Sequence, residues 1–102
     1  MLRGNHECRE MTMSFNFRNE VIHKYDAEIY DRIMSVFDFL PMGAVVNDKF
    51  FTVHGGLSPS FKKISSLNKI NRFREIPRNG LFCDILWSDP TPKENGNIKE
   101  IF

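Results

Sequence analysis

Ala44-Val45-Val46-Asn47-Asp48-Lys49-Phe50-Phe51-Thr52-Val53-His54-Gly55-Gly56 is the stretch from which the fold is read. Two β-branched and aromatic runs flank Asn47-Asp48, a pair suited to the tight turn of a hairpin. The second run would carry His54 to the end of a strand, with two glycines directly after it. Glycines there let the backbone turn sharply and keep bulk away from the imidazole. Residues at strand ends on a rigid scaffold are favoured positions for chemistry. A histidine is still more often a hydrogen-bonded structural residue than a ligand, so His54 stands open between the two roles on local grounds.

Upstream lies Arg3-Gly4-Asn5-His6-Glu7, in a segment without helical period from Met1 to Met11 that reads as a strand remnant or loop. Asn5 offers a neutral oxygen able to ligate a hard or borderline cation, or it is simply a turn residue. His6 can bind a metal or move a proton near neutral pH. Thr12 or Ser14 could cap a helix running to about Lys24, with Phe17 and Val21 on one face. Asp26 is the expected cap of a clearer helix, in which Ile29, Tyr30, Ile33, Met34 and Phe37 recur at helical spacing and Leu40-Pro41 marks the stop. That apolar stripe is expected to pack on a sheet. His23, among charged neighbours, reads as structural.

Downstream, Ser65 could cap a short helix through Leu67 and Ile70, and Pro77 and Gly80 punctuate a loop. Leu81 to Trp87 reads as a buried strand. Pro90, Pro92 and Asn95-Gly96-Asn97 mark an exposed loop, and Ile98 to Phe102 carry no clear pattern. The 102 residues suffice for about one small domain. Fourteen basic and thirteen acidic side chains give a net charge of +1, which argues against a nucleic-acid-binding surface. No apolar run is long enough to span a membrane, and the N-terminus lacks the layout of a secretory signal. Cys8 and Cys83 are too few for a disulfide framework and read as reduced thiols of an intracellular chain, cytoplasmic or nuclear.

Three stretches carry a resemblance: Leu2-Arg3-Gly4-Asn5-His6-Glu7, Val53-His54-Gly55-Gly56-Leu57-Ser58-Pro59 and Cys83-Asp84-Ile85-Leu86-Trp87-Ser88-Asp89-Pro90. In content, order and spacing they resemble consecutive signatures of the serine/threonine phosphoprotein phosphatases, with Phe37-Asp38-Phe39-Leu40-Pro41 between them. Asn71-Arg72-Phe73-Arg74-Glu75-Ile76-Pro77 and the Asn95-Gly96-Asn97 region are most similar to the calcineurin catalytic subunit. The resemblance implies an α/β architecture of the α+β metallophosphatase type, part of a β-sandwich flanked by helices, with residues 1–102 as the central part of a catalytic domain.

It also implies a site with two divalent or trivalent metal ions, of which iron, zinc and manganese are the family's choices, and no organic cofactor. The metals would lower the pKa of a water that attacks phosphorus in line. By position, Asn5 and His54 would ligate one metal, and His6 would be the general acid that protonates the leaving serine or threonine oxygen. Trp87 and Asp89 would shape the rim, and Glu7 would form a structural ion pair. The implied partners are phosphoprotein substrates and, through regions outside this sequence, a calcium-binding regulatory subunit and calmodulin.

The family's Gly-Asp-x-His-Gly and Gly-Asp-x-x-Asp-Arg-Gly motifs are absent from the 102 residues, so a fragment is expected that is inactive by itself. Two neutral ligands alone would hold a cation weakly. The alternative function is a catalytically inert piece that only binds or interferes. A superfamily member acting on nucleotides or diesters is disfavoured by Trp87-Ser88-Asp89-Pro90.

Overall fold

In the computed structural model, residues 1–90 are described. A turn over residues 1–8 leads into helix α1 (Arg9–Ser14), then α2 (Phe17–Lys24) and α3 (Ala27–Phe39). Strands β1 (Gly43–Val46) and β2 (Phe50–Val53) follow, then a 3-10 segment (Ile64–Lys69) and helix α4 (Leu81–Trp87). The expected α+β class holds: helices flank a small antiparallel sheet.

The hairpin pairs Val46 with Phe50 and Gly43 with Val53. Asn47 and Asp48 both take positive φ, 53° and 50°, and the Lys49 N–H closes the turn on the Val46 carbonyl at 3.1 Å. Asn and Asp tolerate this left-handed backbone better than other non-glycine residues. Lys49 is left outside the register, so β2 begins one residue later than its sequence suggested.

The single expected helix up to Lys24 is two. Asn16, at φ 73°, breaks the chain between α1 and α2, and Thr12 lies inside α1 instead of capping. The Thr12 hydroxyl bonds the Cys8 carbonyl at 2.8 Å and the Tyr30 hydroxyl at 2.8 Å. Helix α3 starts where expected: the Asp26 carboxylate accepts from the Ile29 N–H at 2.8 Å. It ends before Leu40, which is extended ahead of Pro41. Its stripe does not meet a sheet. Tyr30 and Met34 bury themselves with Val21 of α2, forming a helix–helix core edged by Ile22, Ile33 and Phe37. Ser65 caps nothing: the 3-10 segment starts after Lys63.

Leu81–Trp87 is a helix, not a strand. Short apolar runs are ambiguous between the two, and here the buried positions Phe82, Ile85 and Leu86 follow helical spacing. Gly80, at φ 88°, sets the abrupt entry. These three side chains and Met42 make a second core, flanked by Val53, Phe61, Leu67, Ile70, Ile76 and Leu81. Pro92, Asn95-Gly96-Asn97 and the final five residues lie outside the described residues. Among the described residues, no helix is long and apolar enough to cross a membrane.

Candidate metal centre and its supporting turn

Asn5 and His54 are forty-nine residues apart and meet side by side. His54 Nε2 lies 3.0 Å from Asn5 Oδ1; the amide oxygen accepts, so that ring nitrogen donates. His54 is delivered by the end of β2, as the hairpin requires. The backbone then passes close to α4: the Gly55 N–H bonds the Ile85 carbonyl at 2.9 Å. A Cβ at Gly55 would lie 2.6 Å from the Leu86 carbonyl carbon and 2.8 Å from the Ile85 oxygen. Neither Gly55 nor Gly56 has positive φ. The glycine pair serves close approach rather than a sharp turn. Ser58, buried, completes the junction by donating to Asp84 Oδ2 at 2.6 Å.

Gly4 lets its backbone pack closely between Glu7 and His54. A Cβ there would collide with Glu7 Oε2 and sit 3.1 Å from His54 Cε1. The Glu7 carboxylate is therefore beside the imidazole, a neighbour the motif did not disclose. The expected Glu7 ion pair does not form among the described residues; its backbone carbonyl instead accepts from Arg3 Nε at 2.9 Å.

His6 follows Asn5 directly, and its ring packs on an aromatic neighbour. It stacks on Phe15, centroids 5.0 Å apart and planes 17° from parallel, with Trp87 at 6.1 Å. The imidazole is exposed and forms one wall of an apolar groove of about 200 Å3 that Met11, Phe15 and Phe17 also line. Among the described residues its ring makes no hydrogen bond. Asn5 and His54 are thus brought together, and His6, adjoining Asn5 in sequence, makes no hydrogen bond to either. Trp87 ends α4, 41% exposed, at the edge of the same region. His23 is exposed in the last turn of α2, away from this cluster.

The turn bearing Asn5 and His6 is anchored by Arg3, whose side chain is fully buried. Besides Glu7, its guanidinium bonds the Arg72 carbonyl at 2.7 Å and the Arg74 carbonyl at 3.4 Å, faces Asp38 at 3.7 Å and lies over the Phe82 ring. Its backbone N–H bonds the Pro41 carbonyl at 2.8 Å. Burial pushes the guanidinium pKa down, and Asp38 opposes that shift. Cys8 closes the turn, its thiol donating to the Asn5 carbonyl at 3.7 Å; burial pushes that thiol pKa up. Sequence reasoning missed Arg3, Asp38 and Glu75 as its supports. One signal was present: an aspartate inside Phe37-Asp38-Phe39, where a charge among apolar residues requires a partner.

Whether this pair suits a cation can be tested on its spacing. Two ligands at right angles on a cation, with bonds of about 2.1 Å, lie about 3.0 Å apart. The Asn5–His54 separation fits that spacing. Binding through Nε2 requires the imidazole proton to move to Nδ1 or leave. Among the described residues there is no group of three or more His, Cys, Asp or Glu side chains that could complete a shell.

The class of protein follows from comparison with known families. The family model for calcineurin-like phosphoesterases (Metallophos) matches residues 1–102, and the chain belongs to that family. It is 57% identical over 90 residues to the serine/threonine-protein phosphatase 2B catalytic subunit A1 of Saccharomyces cerevisiae, covering 88% of this chain and 16% of that one. It is 47% identical over 91 residues to the serine/threonine-protein phosphatase 4 catalytic subunit of Kluyveromyces lactis, covering 88% and 30%. Among solved structures it superposes on a S. cerevisiae protein serine/threonine phosphatase described as similar to human phosphatase PP5. That match has a TM-score of 0.82 and 31% identity, covering 93% of this chain and 32% of the other. The chain therefore spans about a sixth to a third of these relatives.

Proposed function

We propose that residues 1–102 are the central part of the catalytic domain of a protein serine/threonine phosphatase that hydrolyses phosphoserine and phosphothreonine with two metal ions. The observation that carries this is the 3.0 Å approach of Asn5 Oδ1 to His54 Nε2. Such ions, iron, zinc or manganese, would when bound acidify a water and offset phosphate charge. Asn5 contributes a neutral oxygen and His54 a neutral nitrogen to one of them, and among the described residues no group of three or more His, Cys, Asp or Glu completes the shell.

His6 is the general acid. A serine or threonine alkoxide is a poor leaving group, and an adjacent imidazolium removes its charge as it forms. His6 adjoins Asn5 in sequence and is exposed, and its ring would face a bound phosphate ester by turning off the Phe15 stack. Similarity to proteins named as catalytic subunits supports a regulatory partner, with a calcium-binding subunit and calmodulin as the specific candidates.

The test uses the full-length product that carries this chain. His6→Ala should lower turnover of a phosphoserine peptide by about 10²–10⁴, the usual contribution of a general acid. An aryl phosphate, whose leaving group is stable as an anion, should lose much less. Equal losses on the two substrates would remove His6 from the acid role.

A further inference from the structure

One carboxylate holds both ends of the turn that carries Asn5 and His6. Asp38, in the last turn of α3, faces Arg3 on one side at 3.7 Å. On the other it receives Arg9 in a two-pronged contact, Nη1 to Oδ1 at 3.2 Å and Nη2 to Oδ2 at 2.9 Å. Arg3 precedes the turn and Arg9 begins α1, so only Gly4 to Cys8 lie between them. The Asp38 side chain is 13% exposed, which strengthens a fork-to-carboxylate pair relative to one in open water. Hydrogen bonding to Asp38 accordingly pushes the Arg9 pKa up.

Glu75 adds a second hold. Its two oxygens accept from the Arg9 and Glu10 N–H groups at 2.9 and 3.1 Å, replacing the cap that Cys8 does not give α1. The turn has few bonds of its own: Glu7 N–H to the Gly4 carbonyl at 3.3 Å, Cys8 N–H to the His6 carbonyl at 2.9 Å and the Cys8 thiol to the Asn5 carbonyl at 3.7 Å. Its geometry is therefore set from outside. None of the Asp38 contacts reaches β1 or β2, where His54 is carried.

We propose that Asp38 is a positioning residue for this turn, fixing where the Asn5 amide and the His6 imidazole point relative to His54. A purely structural ion pair would stabilise the whole fold without favouring the turn. The functional part of this inference rests on the acid role proposed for His6; the positioning itself does not.

The experiment compares Asp38→Asn with the unmodified full-length product, stripped of metal, by amide hydrogen exchange. Exchange in a peptide covering residues 2–10 should quicken roughly tenfold or more, as expected when a charge-assisted hydrogen bond is lost. A peptide covering β1 and β2 should keep its rate. With metal restored, turnover of a phosphoserine peptide should fall further than turnover of an aryl phosphate. Uniform acceleration in both peptides or an unchanged turn would overturn the positioning; equal losses on both substrates, where His6→Ala separates them, would overturn its functional part. If Asp38→Asn does not fold, Arg9→Gln, altering a side chain 37% exposed, carries the same expectations and the same refutations. Should His6→Ala fail to separate the substrates, the acid role falls, while the exchange pattern still decides the positioning.

Discussion

Gly55 is the residue at which space, not backbone conformation, sets the requirement. Its φ is not positive, yet a methyl group there would overlap the Ile85–Leu86 backbone, which cannot swing aside as a side chain could. Gly55→Ala should cost about 1–3 kcal/mol, the range for inserting a methylene into packed structure, and weaken the Gly55–Ile85 hydrogen bond. Gly80→Ala is the contrasting case: nothing lies within 4 Å of the added carbon, but φ 88° with ψ −176° is an extended positive-φ conformation almost restricted to glycine, so only a backbone cost of about 1–3 kcal/mol applies. Urea unfolding of both variants checks this, with a marked shift of the His54 ring resonances expected only for Gly55→Ala. An unshifted His54 would show that α4 yields to the methyl group without moving the strand end. The Gly-Gly pair was legible in the sequence as important. The reason was not, because close approach depends on α4, which lies some thirty residues away.

At the scale of elements, what the sequence disclosed tracks how local the cause is. The Asp26 cap and the Pro41 stop depend on neighbours a few residues away, and both ends of α3 fall where local chemistry puts them. The hairpin turn at Asn47-Asp48 is of the same kind. Asp26→Ala should accordingly cost about 1 kcal/mol, the usual worth of a side-chain cap, read as a lower melting temperature. Because Val21, Tyr30 and Met34 form a core separate from that around Phe82, exchange protection should fall in α2 and α3 and hold in α4. Equal loss in both would mean that the two cores unfold as one. Two features of the helices escaped because their causes are distant or ambiguous. Helix α1 begins at Arg9 on a cap from Glu75, sixty-six residues away. Leu81 to Trp87 is too short and too apolar for its period to separate helix from strand.

On the scale of the whole molecule, the N-terminal family stretch makes two kinds of long-range contact. Asn5 and His54 meet at a candidate metal position, legible because both stand in motifs of matching order. Arg3 supplies the other kind, and its partners were invisible without coordinates. It ties the N-terminal turn to the Arg72 and Arg74 carbonyls, to Asp38 and to the face of Phe82, bridging the α3 end, the loop before Pro77 and the α4 core. Arg3→Leu would leave the Glu7, Arg72 and Arg74 carbonyls without this donor and remove one of the cations facing Asp38. The expected loss is about 3–5 kcal/mol, the range for breaking a buried ion pair from one side. Arg3→Lys keeps the charge but cannot span three carbonyls with one ammonium, so its loss should be smaller and still measurable. Replacing a buried ion with a well-packed apolar group is sometimes neutral. That outcome is disfavoured here because most of Arg3's partners are backbone carbonyls, which cannot be removed along with it. Urea midpoints ordered wild type, then Lys, then Leu would follow from this arrangement. A Leu variant as stable as wild type would mean that water or repacking satisfies those carbonyls, and that Arg3 does not hold these three regions together.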